Sequence, residues 1–457
     1  MSLEVKKSTQ FKINELVIVT KAGNIDIASI FEEVNIFDSL MMPVMSGTIL
    51  IKDSIGLSGK LLFDGSETIL IDIAKDKNSD VASFHKAFRI FKQSDRQNDG
   101  LNSEIYTLHF VSDELMYSDQ KRINQSYELT NAQIIERILL DYLKVPKNNL
   151  KGIINPTSGI KKIVIPNLRP LDAIDWIAKR SVDINQSPNF MFFQNTIGYN
   201  FASLSTLLSQ PDILDIKFES KNQPGKNAIE EISSARALEV ISQANEIEKT
   251  RSGVNASKFI GFDPLTRTVS TKNISFGDHY TNMKHGNENP NFSQIKNRDG
   301  TNNTETYDAN KSVAIFGAAR QFSEYIKKKD PTSISKEENI ENWLSQRKSI
   351  IKNLMTKRVK LTMPGNFQLT SGFNINLMAP SFAKKEKGDD NADPSLSGKY
   401  IIVATRQIIG YDKHETIIEV ATTSSSNEFI PVSSSAQTQQ LLKYWYGRKR
   451  RKSKICW

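Results

Sequence analysis

Five histidines, one cysteine and scattered carboxylates are the groups in this 457-residue chain that could do acid–base, nucleophilic or metal chemistry. His85, His109, His279, His285 and His414 fall at no spacing that suits a common metal site. Asp278, His279 and His285 come nearest, but they lie in an asparagine-rich stretch that reads as a solvated loop. Asp389, Asp390 and Asp393 in KKEKGDDNADPS could invite calcium, yet they lack the alternating acids, central glycine and distal glutamate of an EF-hand loop. His109 sits in IYTLHFV with no acid or nucleophile at motif spacing and reads as a half-exposed strand residue. Cys456 has no histidine near it in sequence and reads as a free terminal thiol. GxGxxG, GxxxxGK[ST], HExxH and CxxC are all absent. The sequence names no catalytic, cofactor-binding or metal-binding residue.

The strongest local signal is the ending KYWYGRKRRKSKICW. Arg448, Lys449, Arg450, Arg451, Lys452 and Lys454, with Tyr444, Trp445, Tyr446 and Trp457 between and around them, have the composition of a segment that contacts phosphates and stacks on bases. The same composition suits docking onto an acidic partner protein, or a tail that only solubilises. Residues 432–457 hold seven basic residues and no acid, so removing them from the formal charge of +9 leaves the preceding body near neutral, at +2. That body is not a nucleic-acid surface on charge grounds.

The elements that would position any such residues are mainly strands. A hydrophobic content of 38% and a charged content of 24% are those of an ordinary folded protein of two to four domains. No signal peptide is evident in MSLEVKKSTQFKI, and no apolar run is long enough to span a bilayer. One thiol permits no internal disulfide and suits a reducing cytoplasm. Up to about residue 115, GTILIKD, ETILIDI and KAFRIFKQ read as short strands, and Tyr106, Leu108 and Phe110 share one face of another. Thr130 and Gln133 form a capping-box signature ahead of the stripe Ile134, Ile135, Ile138, Leu139 and Tyr142. A second helix starts at Pro170 and buries Leu171, Ile174, Ile177 and Ala178. PNFMFFQNTIGYNFASLSTLL then reads as two strands around a break at Gln194-Asn195-Thr196. Residues 228–248 fit helix or strand, and 277–310 read as a long loop. A third helix carries a capping signature at Ser335 and Glu338 and apolar residues from Ile340 to Leu354. After it, LTMPGNFQLTSGFNINLMAP (Leu361–Pro380) predicts a hairpin turning at Leu369-Thr370-Ser371-Gly372. A charged loop follows at Lys384 to Ser397, then strands in KYIIVATRQII and HETIIEVATT. The β blocks at both ends suggest two barrels.

In their order, these passages resemble the baseplate hub protein of contractile-tailed bacteriophages. IFEEVNIFDSLMMPVMSGTILIKDSIGL is similar to the opening tube-domain stretch of such hubs. FRIFKQSDR, SEIYTLHFVSDE and KRINQSYELTNAQIIERIL resemble their passage into an inserted domain, and NFMFFQNTIGYNFASLSTLL an aromatic strand pair. PGNFQLTSGFNINLMAP, KYIIVATRQII and ETIIEVATTSSSNEF resemble the closing barrel.

The resemblance implies an α+β, mainly β fold with two barrel-like tube domains, an inserted small α/β domain and further helical and loop elements. Residues 1–115 would be the main part of the first tube domain and 116–210 the insert. Residues 211–320 would complete the first tube domain and start the second, 321–430 would give a helix and the second barrel, and 431–457 a flexible basic tail. It also implies a structural virion protein without enzyme activity or cofactor: a homotrimeric ring of pseudo-six-fold symmetry joining tail tube to central spike. Its partners would be itself, the spike, the tube or tube-initiator protein, other baseplate proteins, and the tape-measure protein and DNA in transit. It would be assembled in the host cytoplasm and reside in the virion baseplate. The hub of a related contractile injection or secretion machine, or a tail-associated cell-wall hydrolase, are the alternatives.

Overall fold

Alternating apolar residues in the first block form seven antiparallel strands: β1 (Lys12–Thr20), β2 (Gly23–Asp26), β3 (Phe31–Ser39), β4 (Ser46–Asp53), β5 (Thr68–Ala74), β6 (Phe84–Asn98) and β7 (Glu104–Val111). The computed structural model describes residues 11–21, 23–60, 63–74, 83–100, 102–147, 150, 152–185, 187–218, 233–243, 245–254, 256–263, 267–275, 283–290, 314–318, 340–380, 392–393 and 395–425. The strands run side by side in the order β3-β4-β7-β6-β5-β1-β2. Their inward positions, among them Val34, Ile36, Ile49, Ile51, Ile69, Ile71, Tyr106, Leu108 and Phe110, make one buried core, while His109 faces the other way. This is the period-two pattern at work, since a half-buried strand shows its apolar residues to one side only. A four-residue helical turn, α1 (Leu57–Lys60), follows β4.

The chain then leaves the sheet. Helix α2 (Asp113–Asp119), β8 (Ser126–Leu129), α3 (Asn131–Arg137), β9 (Lys161–Val164), α4 (Pro170–Ala178), β10 (Phe190–Gln194), β11 (Tyr199–Ser203) and α5 (Leu204–Leu208) follow as a run of short helices and strands. The Thr130–Gln133 capping box is present in both directions, and α3 runs on through a π-helical turn at Ile138–Tyr142. Pro170 stands in the first turn of α4. Both strands of the β10–β11 hairpin are buried throughout. Phe190, Phe192, Tyr199 and Phe201 pack with the helices, whereas Met191, Phe193 and Ala202 face a second core containing Leu40, Ile350, Leu354, Ile401 and Val403. Such two-sided burial explains why this stretch reads as a continuous apolar run.

Of residues 228–248, which fit helix or strand in sequence, the described ones form strands and then the start of a helix. Strands β12 (Asp212–Phe218), β13 (Ser234–Ala235) and β14 (Ala237–Ser242) are followed by α6 (Glu246–Ser252). Next come β15 (Ala256–Asp263), β16 (Thr268–Ser275), β17 (Asn289–Pro290), β18 (Ala314–Ala318), α7 (Ile340–Leu354), β19 (Arg358–Pro364), β20 (Asn374–Met378), β21 (Gly398–Gly410), β22 (His414–Ala421) and β23 (Ser424–Ser425). Strands β15, β16 and β18 make a small separate sheet, and β17 pairs with β23. The second barrel runs β12-β20-β21-β22-β19-β14, and the segment β13–β14 closes it, because β13 pairs with β12 and β14 with β19. Strands β12–β14 thus pair with β19 and β20, through β14 and β12.

One expectation is corrected here. Strands β19 and β20 are not a hairpin: the tight β21–β22 pair stands between them, so β19 bonds to β14 and β22 while β20 bonds to β12 and β21. The turn chemistry of the connection is as read, with Gly372 at φ +90°. Two flanking strands with a turn between them look the same in sequence whether they pair together or each pair elsewhere. The capping residues Ser335 and Glu338, residues 381–391, most of 277–310 and the basic tail lie outside the described residues.

Gly47 on β4 shows how closely the first barrel is packed: a Cβ there would stand 2.3 Å from the Asn35 carbonyl oxygen and 2.3 Å from the Phe110 ring. Gly47→Val is expected to destabilise the chain by about 3 kcal/mol or more through overpacking. Gly59→Ala, where nothing lies within 4 Å of the new carbon, should leave the chemical-denaturation midpoint unchanged.

Candidate functional site: the loop between β19 and β20

The connection Gly365–Phe373 is where the first barrel, the inserted unit and the second barrel meet. Gly365 comes first because the His414 ring lies where a side chain would start; a Cβ would be 2.0 Å from it. Phe367 then leaves its own barrel and enters the core of the other, stacking on Phe84 at 5.4 Å between ring centroids and tilting against His414 at 4.6 Å. Gln407 of β21 anchors the loop from beneath. Its Nε2 donates to the Asn366 and Leu369 carbonyls at 3.0 and 3.3 Å, and its Oε1 accepts from the Thr416 hydroxyl at 2.7 Å. His414 Nε2 lies 3.0 Å from that same oxygen.

The turn Thr370-Ser371-Gly372 reaches outwards in two directions. Towards the first barrel, Asp38 of β3 accepts from the Ser371 amide at 2.8 Å and the Thr370 hydroxyl at 3.0 Å. Towards the insert, Asn195 Nδ2 donates to the Ser371 carbonyl at 3.0 Å, and Thr196 bonds to Thr370 and to the Phe367 carbonyl. Gly372 is needed twice over: its φ is left-handed, and a Cβ would be 2.6 Å from the Phe193 ring. A second bridge lies nearby, where Gln194 Oε1 accepts from the Met45 amide at 2.9 Å and the Ser112 hydroxyl at 2.6 Å. From the other side, Arg347 of α7 donates to the Phe190 carbonyl at 3.1 Å.

Asp38 is 4% exposed, and burial pushes its carboxyl up to about 6, against the hydrogen bonds from Ser371 and Thr370 that favour the ionised form. Burial likewise pushes the Lys86 ammonium down to about 8, with the Glu114 and Asp38 carboxylates opposing it. Shut from solvent and already hydrogen-bonded, Asp38 is placed to hold a joint together, not to act on a substrate.

The residues singled out by chemistry type are dispersed. His109 stands 2.8 Å from the Ser94 hydroxyl on a strand face, and His285 lies 3.2 Å from the Thr423 hydroxyl. Asp393 accepts from the amide and hydroxyl of Ser395 in a turn. Among the described residues, no three His, Cys, Asp or Glu side chains gather as a metal site would require. Asp278, His279, Asp389, Asp390, Cys456 and Arg448 to Lys454 lie outside the described residues. Sequence reasoning missed Asp38 and Gln407, because a lone Asp or Gln in a strand carries no spacing signal.

No protein-family model matches the chain. Among curated proteins, "Probable baseplate hub protein gp334" of Vibrio phage KVP40 is 22% identical over 389 residues, covering 84% of this chain and 88% of the relative. This chain resembles a phage baseplate hub protein. The expected resemblance and the mainly β fold with two barrel-like units both stand. Among solved structures, the 43 kDa tail protein of prophage MuSo2 from Shewanella oneidensis aligns at a TM-score of 0.49 and 10% identity, covering 90% of this chain and 98% of that one. A tail protein from Neisseria meningitidis MC58 aligns at 0.48 and 10% identity, covering 90% and 96%. An Escherichia coli component of the type VI secretion system aligns at 0.40 and 10% identity, covering 93% and 79%.

The raised Asp38 carboxyl gives a pH dependence of known sign. With the folded value near 6 and the unfolded value near 3.9, the folded chain holds the extra proton between the two. This group's contribution is therefore full below about pH 4 and is lost as pH rises through 6. Asp38→Asn removes the titration, so relative to the parent it should gain about 2–3 kcal/mol between pH 4 and pH 7. Parallel denaturation curves at the two pH values check this; an unchanged difference would show that Asp38 stays ionised.

Proposed function

We propose that this chain is the central hub of a phage baseplate, a homotrimeric ring that joins the hexameric tail tube to a trimeric spike. The observation that carries the reading is that one chain holds two barrel-like units joined edge to edge through β21, which pairs with β20 and β22 in one and with β3 in the other. Three such chains present six barrels, which lets a three-fold object match a six-fold one. The similarity to a protein named as a baseplate hub supports the same reading. The domain limits we propose follow the strand pairing: 11–111 for the first tube domain, 112–211 for the insert and 212–425 for the second.

The ring would line a passage for the tape-measure protein and then DNA, and the surface charge suits transit. Away from its core, the second barrel carries cross-strand ion pairs, Arg358–Glu419 at 3.0 Å, Lys360–Glu239 at 3.1 Å and Arg236–Glu415 at 3.4 Å, with Arg406–Glu33 at 3.7 Å across the barrel junction. Half-exposed pairs of this kind add little stability, and on this face of the described residues they set an acid beside each of these basic side chains, which weakens its hold on a phosphate backbone. Spike, tube or tube-initiator protein and neighbouring baseplate proteins are the proposed partners, in a particle assembled in the host cytoplasm. Arg448 to Lys454 would reach an acidic surface on one of them.

Light scattering after size exclusion, with and without the spike protein, tests the ring. The expected particle is three times the chain mass in at least one condition. A monomer in both removes the central requirement of the hub reading. Deleting residues 432–457 is expected to weaken partner binding without altering that mass, most at low salt where the intact tail is least screened. Equal binding at every salt concentration would remove the tail from the interface.

A further inference from the structure

Strands β14 and β19 pair regularly from Ala237↔Thr362 to Val240↔Val359, then slip so that Ser242 stands opposite Arg358. A slip of this kind re-aims side chains at the end of a ladder. Beyond it the chain turns through Asn245, whose side chain caps α6 by accepting from the Glu248 amide at 3.0 Å. Helices α6 and α7 then close a cavity of about 410 Å³ over the end of the ladder. That volume lies in the range of small-ligand pockets, about 300–1,000 Å³.

The polar wall is mostly cationic: Lys249, Lys352 and Arg358 line it, with Glu248 as its acid. Lys249 is 4% exposed. Lys352 and Glu248 stand 3.6 Å apart at the rim. Arg358 spends one end of its guanidinium on Glu419, its Nη1 donating at 3.0 Å. Its buried Nε has no hydrogen-bond partner among the described residues, and neither has the buried Ser242 hydroxyl opposite it. Two unmet polar groups on ladder-opposed residues that line the cavity call for a group with several acceptor oxygens, because a buried donor without an acceptor is costly.

We propose that this cavity is an oxyanion site, taking a phosphate or carboxylate against Arg358 and Ser242, with the Lys352 ammonium at its rim. Such a group comes either free or on the side chain of an acidic peptide. The inference is independent of the hub reading, since it rests on this cavity alone.

Calorimetric titration of inorganic phosphate, and separately of a penta-glutamate peptide, into the whole chain at low ionic strength distinguishes the sources. Saturable binding of either is expected, weakened about tenfold or more by Arg358→Met. Because that variant also loses the Glu419 pair, Ser242→Ala and the rim variant Lys352→Gln provide folded comparisons; each should weaken binding several-fold. Lys360→Gln, on the same strand but paired with Glu239 outside the cavity, should bind as the parent does. Phosphate binding alone identifies a free anion as occupant, and peptide binding alone a docked carboxylate. Absence of both, or equal affinity in the Arg358, Ser242 and Lys352 variants, overturns the site.

Discussion

Strand β21 forms backbone hydrogen bonds along both edges, and along one of them it changes partner midway. Residues 398–401 pair with β20 of the second barrel, and 404–410 pair with β3 of the first, while β22 runs along the opposite edge from 401 to 409. The register with β22 shifts between Ile402 and Ala404, where the change of partner occurs. Two barrels that would otherwise sit beside one another, touching through side chains, are thereby parts of one hydrogen-bonded sheet. Their relative orientation is set by the twist and register of a single strand and not by a flexible linker.

The loop between β19 and β20 secures that arrangement with two unlike interactions. Phe367 reaches across to the neighbouring core and supplies apolar burial, which is strong but weakly directional. Asp38, Gln407, Asn195 and Thr196 supply directional hydrogen bonds that accept only one loop conformation. Asp38 is the counterpart of this specificity: ionised and out of water, it opposes folding at neutral pH while fixing the position of Thr370 and Ser371. The hairpin β10–β11 wedges the insert against the same place, with one aromatic face for each core.

The elements were readable from sequence wherever one physical signal dominated. The capping box at Thr130 and Gln133, Pro170 at its helix start and the alternation of Tyr106, Leu108 and Phe110 are local signals, and the structure contains each of them. Pairing was harder to read. PGNFQLTSGF shows turn residues between strands, and nothing in it says that the strands on either side seek partners elsewhere. The role of Asp38 depends on residues 332 and 333 positions away, that of Gln407 on loop carbonyls 41 and 38 positions away, and Ser242 opposite Arg358 depends on a one-residue slip. Type and spacing along the chain do not encode such meetings. The order of the passages from first barrel to insert to second barrel carried more of the function than any single motif did.

The shared strand also imposes a timetable on synthesis. Arg406 on β21 bonds to Asn35 on β3 across 371 residues of chain. As the chain leaves the ribosome, β3 emerges early with one edge unpaired and keeps it so until β21 arrives. An uncovered strand edge attracts other strands, so a nascent chain must pass through the whole insert and most of the second barrel before that edge is covered. Closure of the first barrel's open edge is thus a late event in folding, and it reports that the second barrel has been made.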